Sequence, residues 1–276
     1  MTRLRSIVLI PATGDGLDAA IASEADALAV TVADADYASE ELRARAASAI
    51  GRAAAAGRRV FAVVNHPRTR LLRGDLEVLA GPNLGGVILP HAVEPQDIRD
   101  VAVALREFEL KRGVEPGDTL VLATIDTARG VLRSAEIAAA APRLAGLVFD
   151  GPAYAHDIGA REEEFGDRLA FARGAVIAAA RAADALPIVR ANAFELQQLG
   201  HYGFAGAIVE HATGAAVANA AFAPTEFEVA RARAIVASYA TTRGDGGWAA
   251  RMGAEVVEAD SVRRAKQLLA QAGIEE

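Results

Sequence analysis

Short runs rich in β-branched residues alternate along this chain with longer alanine-rich segments whose apolar positions recur at helical spacing. The alternation repeats eight times before about residue 220. Strands are predicted at 6–10, 27–32, 59–64, 86–89, 119–125, 144–149, 187–189 and 206–209, with helices between them, the clearest at 39–56, 94–112, 127–141 and 162–183. Strands buried on both faces and separated by helix-length intervals specify βαβ units and a parallel sheet. Ser39 ahead of EELRARA is placed to cap a helix, and Gly57 and Gly113 stand where helix C-termini favour glycine.

Eight such units fit an α/β fold of the (β/α)8 TIM barrel type with a C-terminal helical extension. A doubly wound open sheet is disfavoured because PATGDG after the first strand lacks the G-x-G-x-x-G spacing. The barrel is expected over 1–222. The remainder, 223–276, reads as PTEFEVARARAIVASYA in a helix, TTRGDGGW in a turn and DSVRRAKQLLAQAG in a last amphipathic helix. This extension belongs to the same domain or packs on a neighbouring subunit.

Composition narrows the partners. A formal charge of −7 opposes nonspecific attraction to nucleic acid and to anionic membrane, and no apolar stretch is long enough for a membrane span. Neither partner is expected, and a cytoplasmic location follows as the expectation. The chain has no cysteine, which removes disulfides, thiolate metal sites and cysteine nucleophiles.

In a barrel the functional side chains stand just beyond the strands. Those positions hold Pro11; Asp34 and Asp36; Asn65 and His66; His91; Asp126 with Arg129; Asp150; Arg190 and Asn192; and Glu210 with His211. Each is also explained by loop solvation or capping taken singly; Asp126 can cap the helix that begins at TARG. His66 precedes Pro67, so turn geometry accounts for it, and His156 reads as an exposed loop residue. His91 and His211 are the better candidates for proton transfer, with Asp34 beside them as a third catalytic candidate. Asp126 and Asp150 follow consecutive strands, and two neighbouring carboxylates suit Mg2+ or another divalent ion that polarises a carbonyl and stabilises an enolate. Arg129 in a first helical turn suits a carboxylate or phosphate, or pairs with Asp126, and Gly130 permits close backbone approach to an anion.

The segment IDTARGVLRSAEIAAAAPRLAGLVF resembles the fifth- to sixth-strand region of citrate lyase beta subunits in the HpcH/HpaI aldolase superfamily. Weaker resemblance lies in RSIVLIPA, EADALAVTVADA, GGVILPHA, GFAGAIVEHATGAAVANAAFAPTEFEVARAR and VEADSVRRAKQLL. The resemblance implies a metal-dependent, often trimeric barrel that makes or breaks carbon–carbon bonds in short acids or their coenzyme A thioesters through an enolate. Its partners would then be a small carboxylate or acyl-CoA and further copies of the chain.

By that resemblance the metal-binding glutamate falls on Asp126, and the metal-binding aspartate on Ala153 or, with a small gap, on Tyr154. The substrate arginine of the third strand falls on Val63, with Asn65 matched, and of the acidic pair after the second strand Asp34 remains beside Ala33. The lysine after the fourth strand becomes His91. At the eighth strand His211 matches while the lysine position is Ala207. Two readings follow. In one, Asp150 replaces the missing ligand and His91 or His211 takes over proton transfer, giving a carbon–carbon lyase or aldolase. In the other, the barrel is a noncatalytic homologue that binds a metabolite or partner subunit.

Overall fold

Parallel strands with no polar face hide their backbone groups and side chains only if helices cover them and the sheet has no free edge. In the computed structural model of the protein the sheet closes on itself in sequence order, β1 to β8. The structure describes residues 3–33, 39–160, 169–192, 195–244, 248–253 and 255–274. The barrel strands are β1 (Ser6–Ile10), β2 (Ala27–Thr31), β3 (Val60–Val63), β4 (Gly86–Leu89), β5 (Leu120–Ile125), β6 (Leu144–Asp150), β7 (Leu186–Arg190) and β8 (Gly206–Val209). Closure comes from β1, which pairs with β2 on one side and, through Ser6–Ala207, Ile7–Ile208 and Val8–Val209, with β8 on the other. The expected strands are all present, with ends shifted by a residue or so.

The helices are α1 (Leu17–Ala22), α2 (Glu40–Ala55), α3 (Leu72–Leu79), α4 (Pro95–Arg112), α5 (Ala128–Leu132), α6 (Ser134–Ala138), α7 (Gly151–Asp157), α8 (Ala170–Ala182), α9 (Leu196–Gly200) and α10 (Gly214–Ala221). Ser39 caps α2 by accepting a hydrogen bond from the Leu42 amide at 3.3 Å, and Gly113 ends α4 at φ +68°. One helical expectation is corrected and a second is met over its described part. The segment expected as one helix over 127–141 is broken into α5 and α6 at Arg133, whose φ of −109° and ψ of 10° leave the helical basin. Of the helix expected over 162–183, the described part is α8, and residues 161–168 lie outside the described set.

Two compact units divide the chain: Arg5–Ala221, which holds the barrel, and Phe222–Glu276 with Met1–Leu4. In the second, α11 (Glu226–Gly244) and α12 (Ala259–Gln271) share a small apolar core of Ala232, Ala265 and Leu269, flanked by Val229, Ile235, Val236 and Leu268. Between them lies an antiparallel pair, β9 (Ala250–Met252) and β10 (Glu255–Val257), in a stretch after the expected turn for which no element was expected. Three-residue strands leave too short an alternation to register as a pattern. Among the described residues no helix is long and apolar enough to cross a membrane.

One buried polar knot fixes the β3 end of the barrel. Asp75 on α3 is fully buried, and it accepts hydrogen bonds from Arg43 Nε on α2 at 2.8 Å, and from the backbone amide and Nδ2 of Asn65 at 2.8 and 2.9 Å. Removing its carboxylate would strip Arg43 Nε and the Asn65 donors of the buried acceptor they share. Asp75→Ala is expected to lower unfolding free energy by about 3–5 kcal/mol, the range for a broken buried pair. Urea denaturation checks this, and a loss well under about 1 kcal/mol would contradict the role given to the knot.

Candidate functional site

Alternation along each strand selects which residues face the barrel axis, and pairing sets their height. A cavity of about 550 Å³ opens at the C-terminal ends of the strands. Its lining steps by two along the chain: Leu9 and Pro11, Ile88 and Pro90, Thr124 and Asp126, Val148 and Asp150, Ile208 and Glu210. The β5–β6 ladder ends with Ile125 beside Phe149, which brings Asp126 level with Asp150. The β6–β7 ladder places Arg190 directly opposite Asp150.

His91 reaches this mouth differently. It follows β4 in a left-handed backbone conformation, φ +55°, which is rare for a residue with a side chain. That turn aims both its backbone amide and its ring at one carboxylate oxygen: Nδ1 lies 2.8 Å and the amide nitrogen 3.2 Å from Asp126 Oδ2. The Asp126 carboxylate is buried, whereas the imidazole is largely exposed to the cavity. Helix capping does not explain Asp126, because the cap of α5 is Thr127, whose hydroxyl accepts from the Gly130 amide at 3.0 Å. The hydrogen bond to Asp126 raises the His91 pKa, burial opposes the rise, and the charges of Asp126 and Asp150 reinforce it.

Asp150 serves two partners. Its Oδ1 caps α7 by accepting from the Ala153 amide at 3.1 Å, and its Oδ2 lies 3.2 Å from Arg190 Nη1. Arg190 Nη2 in turn reaches Glu210 Oε1 at 3.1 Å. Burial works against the guanidinium charge, yet Asp150 and Glu210 together hold its pKa above the ordinary value. Arg190 and Glu210 also line an adjoining cavity of about 510 Å³, together with Arg173, Asn192, Glu195 and His211.

The other expected residues that the structure describes fall elsewhere. His211 lines the adjoining cavity and not the one that holds His91. Asn65 is buried and donates to Asp75 rather than lining either cavity. Arg129 pairs with Glu94 Oε2 at 3.2 Å, not with Asp126, on a rim where Arg133 and Arg68 meet the same glutamate. Gly130 packs against protein: a Cβ there would lie 2.7 Å from the Ala92 carbonyl oxygen. Asp34 lies outside the described residues. His66 uses Nδ1 to accept from the Arg68 amide, ordering the 3-10 turn Pro67–Thr69, and burial lowers its pKa. Sequence reasoning assigns no role to Arg190 and Glu210, although counting by two from the buried residues of β7 and β8 selects them over His211.

The donor set decides whether a resident divalent ion fits. Asp126 Oδ1 is buried without a hydrogen-bond partner, which is the one feature that favours a bound cation. Against it, both Asp150 oxygens are engaged, and the one facing the mouth meets a guanidinium, whose fixed positive charge repels a metal ion. Among the described residues no three His, Asp or Glu side chains group as metal ligands. Asp126 and Asp150 as arranged therefore do not fit a divalent ion.

The chain matches the HpcH/HpaI aldolase/citrate lyase family over residues 9–209 and belongs to it. It is 31% identical over 287 residues to a citrate lyase subunit beta-like protein of Deinococcus radiodurans, with 96% of each chain covered. It is also 31% identical over 283 residues to a (3S)-malyl-CoA thioesterase of Cereibacter sphaeroides, covering 97% of this chain and 94% of that one. Its fold matches the crystal structure of the CitE protein of Mycobacterium tuberculosis in complex with magnesium, acetoacetate and coenzyme A, with a TM-score of 0.60, 22% identity and 97% of each chain covered.

The His91–Asp126 contact predicts a pH signature. The His91 ring proton resonances should titrate with a midpoint above 6.5, and Asp126→Asn should bring it down. Because the folded value is raised, the pair's contribution to stability is complete below about pH 6.5 and is lost as pH rises through the folded value. The melting difference between wild type and His91→Gln should shrink over that window. A wild-type midpoint at or below 6.5 contradicts the coupling.

Proposed function

We propose that this protein makes or breaks a carbon–carbon bond in a short carboxylic acid or its coenzyme A thioester through an enolate, with His91 and Asp126 moving the proton. The observation that carries this reading is the 2.8 Å contact between His91 Nδ1 and Asp126 Oδ2 inside the strand-end cavity. It orients the ring and leaves Nε2 for bound substrate, the arrangement required of a carboxylate-backed general base. Family membership and the citrate lyase and malyl-CoA relatives supply the substrate class.

In the cleavage direction, neutral His91 takes the proton from the β-hydroxyl of the substrate. The hydroxyl oxygen's electrons form a new carbonyl, the adjacent carbon–carbon bond breaks, and its electron pair passes into the acyl carbonyl to give an enolate. Imidazolium His91, held by buried Asp126, returns the same proton to the enolate carbon. Atoms and charge balance without a further reactant. The cavity lining includes Leu9, Val63, Ile88, Val148 and Ile208, apolar side chains that offer no competing proton donor or acceptor.

Hydrogen–deuterium exchange at the α-carbon, followed by NMR across short acids and acyl-CoA thioesters, tests the enolate step even before the full substrate is identified. Exchange catalysed by wild type should fall about 10²–10⁴-fold in His91→Gln and Asp126→Asn, the scale of a lost general base. Absence of exchange with every acid and thioester tried would favour the noncatalytic reading, and unchanged exchange in both variants would refute the roles of His91 and Asp126.

A further inference from the structure

Among the described residues Arg190 is the one arginine that lines both cavities, and its position follows from pairing rather than from a flexible reach. The β6–β7 register sets it against Asp150, and β8 carries Glu210 to its other side. Two carboxylates therefore grip one guanidinium, at 3.2 and 3.1 Å from Nη1 and Nη2. A guanidinium has five N–H donors, and each of these two contacts uses one, so further donors remain for a ligand oxygen. Its charge is permanent over the working pH range and cannot be removed by a chelator.

A divalent ion bridging Asp126 and Asp150 would need an Asp150 oxygen, and the one that faces the mouth already meets Arg190. From this we infer that Arg190 is the built-in cation of the site: it takes the electrostatic place of a divalent ion and presents its remaining N–H groups to a carboxylate or enolate oxygen of the ligand. The inference rests on the proposed enolate chemistry for its ligand class and deepens it by assigning the positive charge. Asp150 and Glu210 act as positioning residues, holding the fork across the boundary between the two cavities. A ligand oxygen bound there has His91 in the same cavity and the polar wall of Arg173, Asn192 and His211 in the adjoining one.

Calorimetric titration separates the possibilities, with Mn2+ as the metal probe and malonate as the carboxylate probe, on full-length protein in metal-free buffer. Wild type should show no saturable Mn2+ binding and should bind malonate with EDTA present. Arg190→Gln frees Asp150 and should gain Mn2+ binding while losing malonate affinity about tenfold or more, the scale of one charge-assisted contact. Glu210→Gln leaves the Asp150 contact in place and should gain no Mn2+ binding. Melting curves establish that both variants fold. Saturable Mn2+ binding by wild type that disappears in Asp126→Asn and Asp150→Asn overturns the inference and leaves the enolate reading standing. Folded Arg190→Gln that neither gains Mn2+ nor loses malonate overturns it as well. Loss of α-carbon exchange activity alone bears on the enolate reading and not on the identity of the cation.

Discussion

Closure of the parallel ladder between β1 and β8 is the constraint on which the rest of the molecule depends. Once the ring is complete, every inward position is fixed in height and direction by hydrogen bonding that no loop can renegotiate. Residues more than a hundred positions apart in sequence, such as Leu9 and Asp126, then share one wall. The apolar inward residues make the floor of the mouth, and the next inward position on β5, β6, β7 and β8 is Asp126, Asp150, Arg190 and Glu210. A chemical site arises where the same two-residue alternation that builds the core runs past the end of the strands.

Electrostatics at that rim are arranged in pairs. Asp126 is answered by His91, and Asp150 and Glu210 by Arg190. Asp126 and Asp150 are buried, and buried carboxylates are costly unless each finds a donor, so the contacts to these two satisfy a folding requirement as well as a chemical one, whereas Glu210 is exposed. The two counter-charges differ in kind. Imidazole gains and loses its proton near neutrality, whereas guanidinium keeps its charge, so one pair is suited to moving protons and the other to holding a negative oxygen still.

The eight-fold alternation makes the barrel legible in the sequence, because each strand is largely apolar and the longer helices, α2, α4 and α8, carry their own period. The break at Arg133 and the strands β9 and β10 are not legible, since both are shorter than the windows in which a period shows. At the site, His91, Asp126 and Asp150 stand out as polar residues directly after strands. The partners of Asn65 and Arg129 do not, because Asp75 and Glu94 lie on other elements and only packing brings them near. Resemblance locates the region of a metal ligand, but it does not report that a guanidinium from the next strand faces the carboxylate expected to replace the missing one.

Gly130 shows how far the site extends beyond the groups that carry charge. The backbone of α5 approaches so closely that a methyl group at 130 would meet the Ala92 carbonyl, in the residue next to His91. Ala92 is itself tied to β5 through its amide, 3.0 Å from the Thr124 carbonyl oxygen. A larger residue at 130 would therefore act as a wedge beneath the segment that sets the direction of the imidazole. Evolution of this barrel toward new chemistry thus has a control point that touches no reactant: altering the thickness of one helix turn retunes the aim of the ring and leaves every reactive group in the chain unchanged.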